Sequence, residues 1–132
     1  AKNIGKNIKD KLILLKQKYP NFIKEIRGEG CLQGIIFNSG PKVLNNLISY
    51  IPIELTKDDR FLSKLVTSSI ISNLYSEFDI LTSLGQNREI CLWISPSIII
   101  NDKEIDFFFN SLDKTLSHGY LKLLKNFIIK RI

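Results

Sequence analysis

Histidine, cysteine and methionine are nearly absent from this 132-residue sequence, which has one histidine, two cysteines and no methionine. Cys31 and Cys91 lie far apart and His118 is the only imidazole, so the chain alone cannot supply the roughly four ligands of a zinc site. A serine or cysteine nucleophile needs a neighbouring base, and His118 stands beside Gly119 near a predicted helix end. We therefore expect no catalytic residue, no cofactor-binding residue and no metal site within this chain.

Long apolar runs are also missing. No run approaches the ~18 residues that span a bilayer, and the N-terminus lacks the apolar block of a secretory signal. The apolar content of 44% and charged content of 24% are those of a globular domain. Both cysteines have apolar neighbours, which predicts buried thiols in a reducing compartment. We expect a single domain, 1–132, of a cytoplasmic protein, and the absence of methionine suggests a piece of a longer chain.

The net charge of +6 is concentrated at the two ends of the chain. Residues 1–27 and 118–132 are basic, whereas 28–117 carries an acidic excess. Basic ends are found in proteins that bind nucleic acid or anionic membranes. Here lysines outnumber arginines, and aromatic residues do not alternate with basic ones as in proteins that stack bases. We expect solvated helix faces, with no nucleic-acid partner and no membrane partner.

Apolar residues at three- and four-residue spacing predict helices. The predicted helices are 3–19, 58–77, one that begins at Asn101, and a basic amphipathic tail helix within 118–132, with 43–50 as a short helix or an irregular connection. Asn101 followed by Glu104 has the spacing of a capping box. His118 and Gly119 are expected to separate the last two helices.

Apolar, β-branched runs predict strands at 31–37, 79–84 and 89–94, with 51–55 as an edge strand or a loop. Residues 22–27 are interpreted as a short approach to the first strand, and 85–87 as a hairpin turn between the last two. A further turn is expected at 38–41, and 95–97 is expected to end the last strand. The order predicts an α+β fold with a small, three- to four-stranded, largely antiparallel sheet that helices cover on one face.

The segment 26–37, IRGEGCLQGIIF, contains Gly28, Gly30 and Gly34. It is similar to a dinucleotide fingerprint, but its last glycine comes one place late and leads into a strand. A phosphate loop must instead enter a helix N-terminus, where backbone amides face the phosphate. The glycines therefore indicate a turn or bulge with a close backbone approach, and Arg27 is available for a structural ion pair.

This segment and three later ones resemble the C-terminal small domain of class III pyridoxal-phosphate aminotransferases of fold type I. These are enzymes of the ornithine, acetylornithine, 4-aminobutyrate and putrescine type. The resemblance covers nearly the whole chain in the family's order. Its matching positions are Lys18-Tyr19-Pro20, then Arg27, Gly28, Gly30, Gly34 and Ile35, then 79–82, then 92–100 with Pro96, and finally Glu104-Ile105-Asp106.

The resemblance implies that a large domain of the same polypeptide holds pyridoxal phosphate and the Schiff-base lysine. None of that domain's motifs occurs here, so this chain alone should neither bind the cofactor nor transaminate, and the intact enzyme should be a homodimer. The family's arginine, which in many members meets a substrate carboxylate or a gating glutamate, falls on Trp93, and a family proline falls on Ser97. An indole cannot clamp a carboxylate bidentately, so the intact enzyme is not expected to bind an α-carboxylate at Trp93. An amine, or an amino group on a larger scaffold, is expected there instead.

The alternative from a different class is a stand-alone basic α+β module that binds nucleic acid or a protein partner. An exposed apolar patch, where a large domain would dock, favours the aminotransferase domain. A salt-dependent affinity for nucleic acid favours the module.

Overall fold

The computed structural model describes residues 2–29, 32–38, 59–86, 90–94 and 101–131. These ranges contain four helices and four strands. They are α1 Lys2–Lys18, β1 Ile23–Glu29, β2 Leu32–Phe37, α2 Asp59–Phe78, β3 Ser83–Gln86, β4 Ile90–Ile94, α3 Asp102–Ser117 and α4 Gly119–Arg131. The predictions for 39–41, 43–50, 51–55 and 95–97, and those for Gly30, Cys31 and Pro96, lie outside the described residues.

The four strands form one antiparallel sheet in the order β1-β2-β4-β3. Ile35, Phe37, Leu92 and Ile94 share a core with apolar residues of all four helices. Alternation along β2 and β4 places Gly34, Ile36, Cys91 and Trp93 on the opposite face. The predicted α+β class, with a small antiparallel sheet and helices packed on it, is confirmed.

Helix α1 forms because Ile8, Leu12 and Leu15 recur at helical spacing and bury one face against the sheet and α3. Two of its lysines reach α3. Lys11 Nζ lies 2.8 Å from an Asp106 carboxylate oxygen, and Lys18 Nζ lies 2.8 Å from Asp113 Oδ2. These pairs are solvent-exposed and contribute little energy each, so burial of the apolar face fixes this helix.

Helix α3 begins as the capping box predicts. The Asn101 side-chain oxygen accepts from the Glu104 amide at 2.9 Å, and Asn101 Nδ2 donates to the Glu104 carboxylate at 3.0 Å. The helix ends at Ser117, and Gly119 has a φ of +84° where α4 begins. The predicted break and tail helix are therefore confirmed. Leu123 and Leu124 of α4 are buried in the common core.

The interpretation of 22–27 as an approach segment is wrong, because Ile23–Glu29 is a strand that pairs with all of β2. Its charged residues hide the strand signal in the sequence. As an edge strand it needs to bury only part of its surface, so charges are tolerated along it. A register shift between Ile23 and Glu25 further breaks the two-residue alternation that marks a strand.

The third strand is also displaced from its predicted bounds of 79–84. Asp79 adopts a left-handed φ of 56° and donates its amide to the Tyr75 carbonyl at 3.0 Å, which is a helix C-cap conformation that aspartate tolerates. Ile80 is then buried, so pairing with β4 starts only at Ser83. Gly85 and Gln86 are paired residues of β3 rather than the start of the predicted turn.

Candidate functional site

Trp93 lies at the centre of the sheet face opposite the helices. In the strand register it is the direct partner of Gly34 on one side and of Ser83 on the other. A Cβ added to Gly34 would lie 3.0 Å from the six-membered ring of Trp93, and one added to Gly85 would lie 2.2 Å from its Nε1. The indole therefore lies across both neighbouring strands, and the two glycines leave the space that it fills.

Cys91 lies beside this indole on the same face. Its sulfur would be 2.4 Å from a Cβ on Gly34, and the residue is a buried thiol, as predicted. Trp93 itself is only half-buried, so part of the indole remains open to a ligand or to a packed surface. The role of Gly85 was missed from the sequence, where a glycine next to Gln86 and Asn87 is typical of a turn.

Replacing Gly85 by alanine should destabilise the fold by about 1–3 kcal/mol, because the new methyl group overlaps the pyrrole ring of Trp93. All three nearest atoms to that methyl belong to Trp93. We therefore expect Gly85→Ala to cost much less in a Trp93→Ala background. Urea unfolding of both single variants and the double variant measures this difference. Additive losses would contradict the close contact between Gly85 and the Trp93 indole.

Arg27 and Gly28 of the glycine motif have structural roles. Arg27 Nε lies 3.2 Å from Glu25 Oε1 in an exposed ion pair on β1. Gly28 has a φ of +108°, and a Cβ there would lie 2.2 Å from the Leu32 carbonyl oxygen. The glycine thus allows β1 and β2 to pair closely beside Gln33.

Large apolar side chains are exposed together where α2 ends. Tyr75, Leu81 and Phe107 are 56%, 67% and 53% exposed. Two open grooves, of about 650 and 460 Å³, share Ile80 and Leu81 in their walls. Phe127 of α4 lines the larger groove. We call Tyr75, Leu81, Phe107 and Phe127 the Leu81 surface; it matches the kind of exposed apolar patch that marks interaction sites.

His118 lies at the junction of α3 and α4, with its Nε2 3.6 Å from a Glu77 carboxylate oxygen. The backbone amide of His118 donates to the Thr115 carbonyl, so the residue closes a helix end. Within the ranges that the structure covers, no three His, Cys, Asp or Glu residues are grouped to hold a metal ion. Asp102 and Glu104 lie in the first turn of α3, where the helix dipole favours negative charge.

The most perturbed ionisable groups link elements of the fold. Burial, and then the hydrogen bond to Asp113, raises the pKa of Tyr19 to about 12. Burial disfavours ionised Asp113, but hydrogen bonds from Lys18 and Tyr19 outweigh it and lower the pKa of this carboxyl. Burial also raises the pKa of Tyr120, whose hydroxyl lies 2.8 Å from the Asn21 and Asn38 carbonyl oxygens.

Tyr19 should make the fold sensitive to alkaline pH. Its folded pKa of about 12 exceeds the ordinary value of 10.0, so its contribution to stability is complete below pH ~10 and is lost as the pH rises towards 12. The free energy of unfolding should therefore fall more between pH 9 and pH 11.5 in the wild type than in Tyr19→Phe, by denaturant titration. An equal fall in both proteins would contradict the shifted pKa.

Comparison with models of known protein families and with curated proteins finds no match to this chain. Among the residues that the structure describes, no helix has the length and apolar character needed to cross a membrane.

Proposed function

We propose that this chain is the C-terminal small domain of a pyridoxal-phosphate-dependent class III aminotransferase. The full-length enzyme would transfer an amino group between an amine or amino acid and a 2-oxo acid. One observation carries the proposal. Gly34 and Trp93 belong to two separate segments of the family resemblance, and they are direct partners in one antiparallel register. The register therefore brings these two segments of the resemblance together at one pair of residues.

The Leu81 surface gives a second, independent support. A domain that packs against another domain of its own polypeptide leaves an apolar surface exposed when it is considered alone. Tyr75, Leu81 and Phe107 are each more than half exposed and border two adjoining grooves. We infer that this surface packs against the large cofactor-binding domain, in a cytoplasmic enzyme that is a homodimer.

The residues of this chain do not fit the cofactor itself. A lysine that forms a Schiff base is usually desolvated, so that its pKa is lowered. Every lysine whose side chain the structure describes is exposed or half-buried. Lys11 and Lys18 are engaged with Asp106 and Asp113. We therefore assign pyridoxal phosphate and the catalytic lysine to the large domain and derive no chemical step from the residues present here.

Trp93 is the residue that we place nearest the substrate, because it takes the position of the family's carboxylate-binding arginine. Its half-buried indole offers an apolar, aromatic surface and no positive charge. The preferred amino donor would then be an amine that has no α-carboxylate facing Trp93. Trp93→Arg in the full-length enzyme should raise kcat/KM for α-amino acids relative to simple amines. Efficient use of ornithine or acetylornithine by the wild type would contradict the role assigned to Trp93.

The central test uses the full-length protein that contains this chain. It should hold pyridoxal phosphate as an imine whose absorbance survives gel filtration, and an amine donor should discharge that absorbance in a single turnover. The separate 132-residue chain serves as the control, after circular dichroism has verified that it is folded. It should retain no imine. A full-length protein without bound cofactor, or an isolated chain that keeps it, would overturn the proposal.

The stand-alone binding module is supported by one feature, the outer surface of α1. Lys6, Lys9 and Lys16 are exposed there beside Ile13 and Leu14. If this surface binds nucleic acid, the affinity measured by fluorescence anisotropy should fall steeply between 50 and 200 mM salt. A salt-dependent affinity that Lys9→Glu abolishes would favour the module over the aminotransferase domain.

A further inference from the structure

The larger of the two grooves at the Leu81 surface, of about 650 Å³, follows helix α2. Five side chains of that helix line it, and they recur at three- and four-residue spacing, so they share one helix face. They are Lys64, Ser68, Ile71, Ser72 and Tyr75. The other lining side chains come from residues 80–84 and from α4. A groove made of helix side chains accepts an amphipathic helix, whereas an added strand needs the backbone of a sheet edge.

Apolar and small side chains alternate along the α2 side of this groove. Tyr75 at one end and Leu81 beside it are each more than half exposed, so they offer apolar area that a partner would bury. Ser68 and Ser72 are half-buried and have short side chains. Because the distance between two packed helices depends on the side chains at their contact, a partner helix could lie close to α2 at these serines.

Lys64 gives the groove a positive charge at its other end. It is exposed, and among the described residues that line the larger groove it is the only charged one. Lys64 and Tyr75 are 11 residues apart on one helix, which is about three turns or 16 Å. A complementary helix therefore carries a carboxylate opposite Lys64 and apolar side chains about three turns away, opposite Tyr75 and Leu81.

The charges of this chain argue against a second copy docking its own α1 here. Ile13 and Leu14 also expose apolar area on that helix, but the exposed Lys6 and Lys9 lie on the same outer surface. Docking this surface in the groove would bring positive charges towards Lys64, and like charges placed together across an interface disfavour association. An acidic amphipathic helix from another part of the polypeptide meets the requirement without this repulsion.

We propose that the larger groove receives an amphipathic helix of the large domain, about three turns long. A carboxylate of that helix pairs with Lys64, and its apolar side chains cover Tyr75 and Leu81. This inference rests on the proposed function, because it names the element of the same polypeptide that covers the Leu81 surface. In the separate 132-residue chain the same side chains contact water.

Hydroxyl-radical footprinting of the full-length protein and of the separate chain measures this coverage. Tyr75 and Leu81 should be oxidised at least about fivefold more slowly in the full-length protein, because the core of an interface excludes water. Leu14, which is 64% exposed on α1, is the internal control and should react at a similar rate in both. Circular dichroism verifies that the separate chain is folded. Equal oxidation of Leu81 in the two proteins would overturn the proposal.

Carbodiimide crosslinking tests the charge pair, because it joins a lysine amine to a carboxylate in direct contact. Mass spectrometry of the full-length protein should find Lys64 linked to an acidic residue outside the 132 residues of this chain. Lys64→Arg keeps the charge but has no reactive amine, so this link should disappear while Tyr75 and Leu81 stay protected. Links from Lys64 to carboxylates of this chain alone, from the same or a second copy, would contradict the proposed partner.

Reversing the charge tests whether the pair holds the helix in place. Lys64→Glu in the full-length protein should raise the oxidation of Tyr75 and Leu81 by a few-fold, because it sets two carboxylates opposite each other. Lys9→Glu is the matched control, since it makes the same change of charge at an exposed position on α1. Equal effects of the two variants would show that the charge at Lys64 selects no partner.

The imine absorbance of the same full-length sample reports on the proposed function separately. A protein that holds the imine but leaves Leu81 unprotected would overturn the docking of this helix and leave the aminotransferase assignment standing. A protein without the imine that still protects Leu81 and crosslinks Lys64 outside this chain would overturn the assignment and support the docking.

Discussion

Replacing Phe108 by alanine should lower the free energy of unfolding by about 3–5 kcal/mol, whereas the same change at Phe107 should cost less than about 1 kcal/mol. The two residues are neighbours on α3 with the same side chain. Phe108 is 1% exposed in the core, and Phe107 is 53% exposed on the Leu81 surface. The pair therefore separates the loss of buried contacts from any change in helix propensity.

Urea denaturation at one pH and temperature measures both losses, and the m-values should agree with that of the wild type. Domains of this size have a total stability of about 5–15 kcal/mol, so Phe108→Ala can leave the chain largely unfolded. Phe108→Leu then supplies a milder truncation of the same site, which should still destabilise more than Phe107→Ala. Equal losses at the two positions would show that α3 presents a different face to the core.

Helices were predictable from the sequence because their burial pattern repeats within one element. Ile8, Leu12 and Leu15 indicate the buried face of α1 without reference to any partner. The capping interaction of Asn101 with Glu104 is also local, since the two hydrogen bonds that join these residues lie within one turn. Such features depend on spacing along the chain and not on what packs against it.

The sheet was harder to predict because its strands are defined by their partners. β1 carries charges that suit an edge, and its alternation is broken by the register shift between Ile23 and Glu25. Gly85 has the local signature of a turn, yet its absent side chain leaves room for Trp93 of the next strand. A single sequence contains no signal for a contact of this kind, since the residue that requires the glycine lies on another strand.

The candidate site also combines features that are local in the sequence with features that depend on a partner strand. Gly34 and Trp93 were each singled out from their own segments, but only the register of β2 and β4 places them in contact. The Leu81 surface gave no signal at all, because Leu81 lies in an apolar run that was predicted to be strand. Its exposure follows from the left-handed turn at Asp79, which buries Ile80 and directs the following leucine outward.

Replacing Gly28 by alanine should destabilise the fold by about 3–4 kcal/mol, more than the same change at Gly119. Both glycines have a positive φ, of 108° and 84°, and alanine there costs about 1–2 kcal/mol in backbone strain. A Cβ at Gly119 meets no atom within 4 Å, whereas one at Gly28 would lie 2.2 Å from the backbone oxygen of Leu32. The additional loss is the overlap with a strand that cannot yield without disturbing its pairing.

Hydrogen exchange locates that additional loss. In Gly28→Ala the amides of β1 and β2 near Gln33, the partner of residue 28, should lose protection first, because the backbone must separate there to admit the methyl group. In Gly119→Ala the protection of the core amides should fall evenly, by an amount that corresponds to the global loss of stability. If both variants lose the same free energy and show the same pattern, Gly28 is required for its backbone angle alone. A larger, local loss at Gly28 would instead explain its place in the motif by the close pairing of β1 with β2.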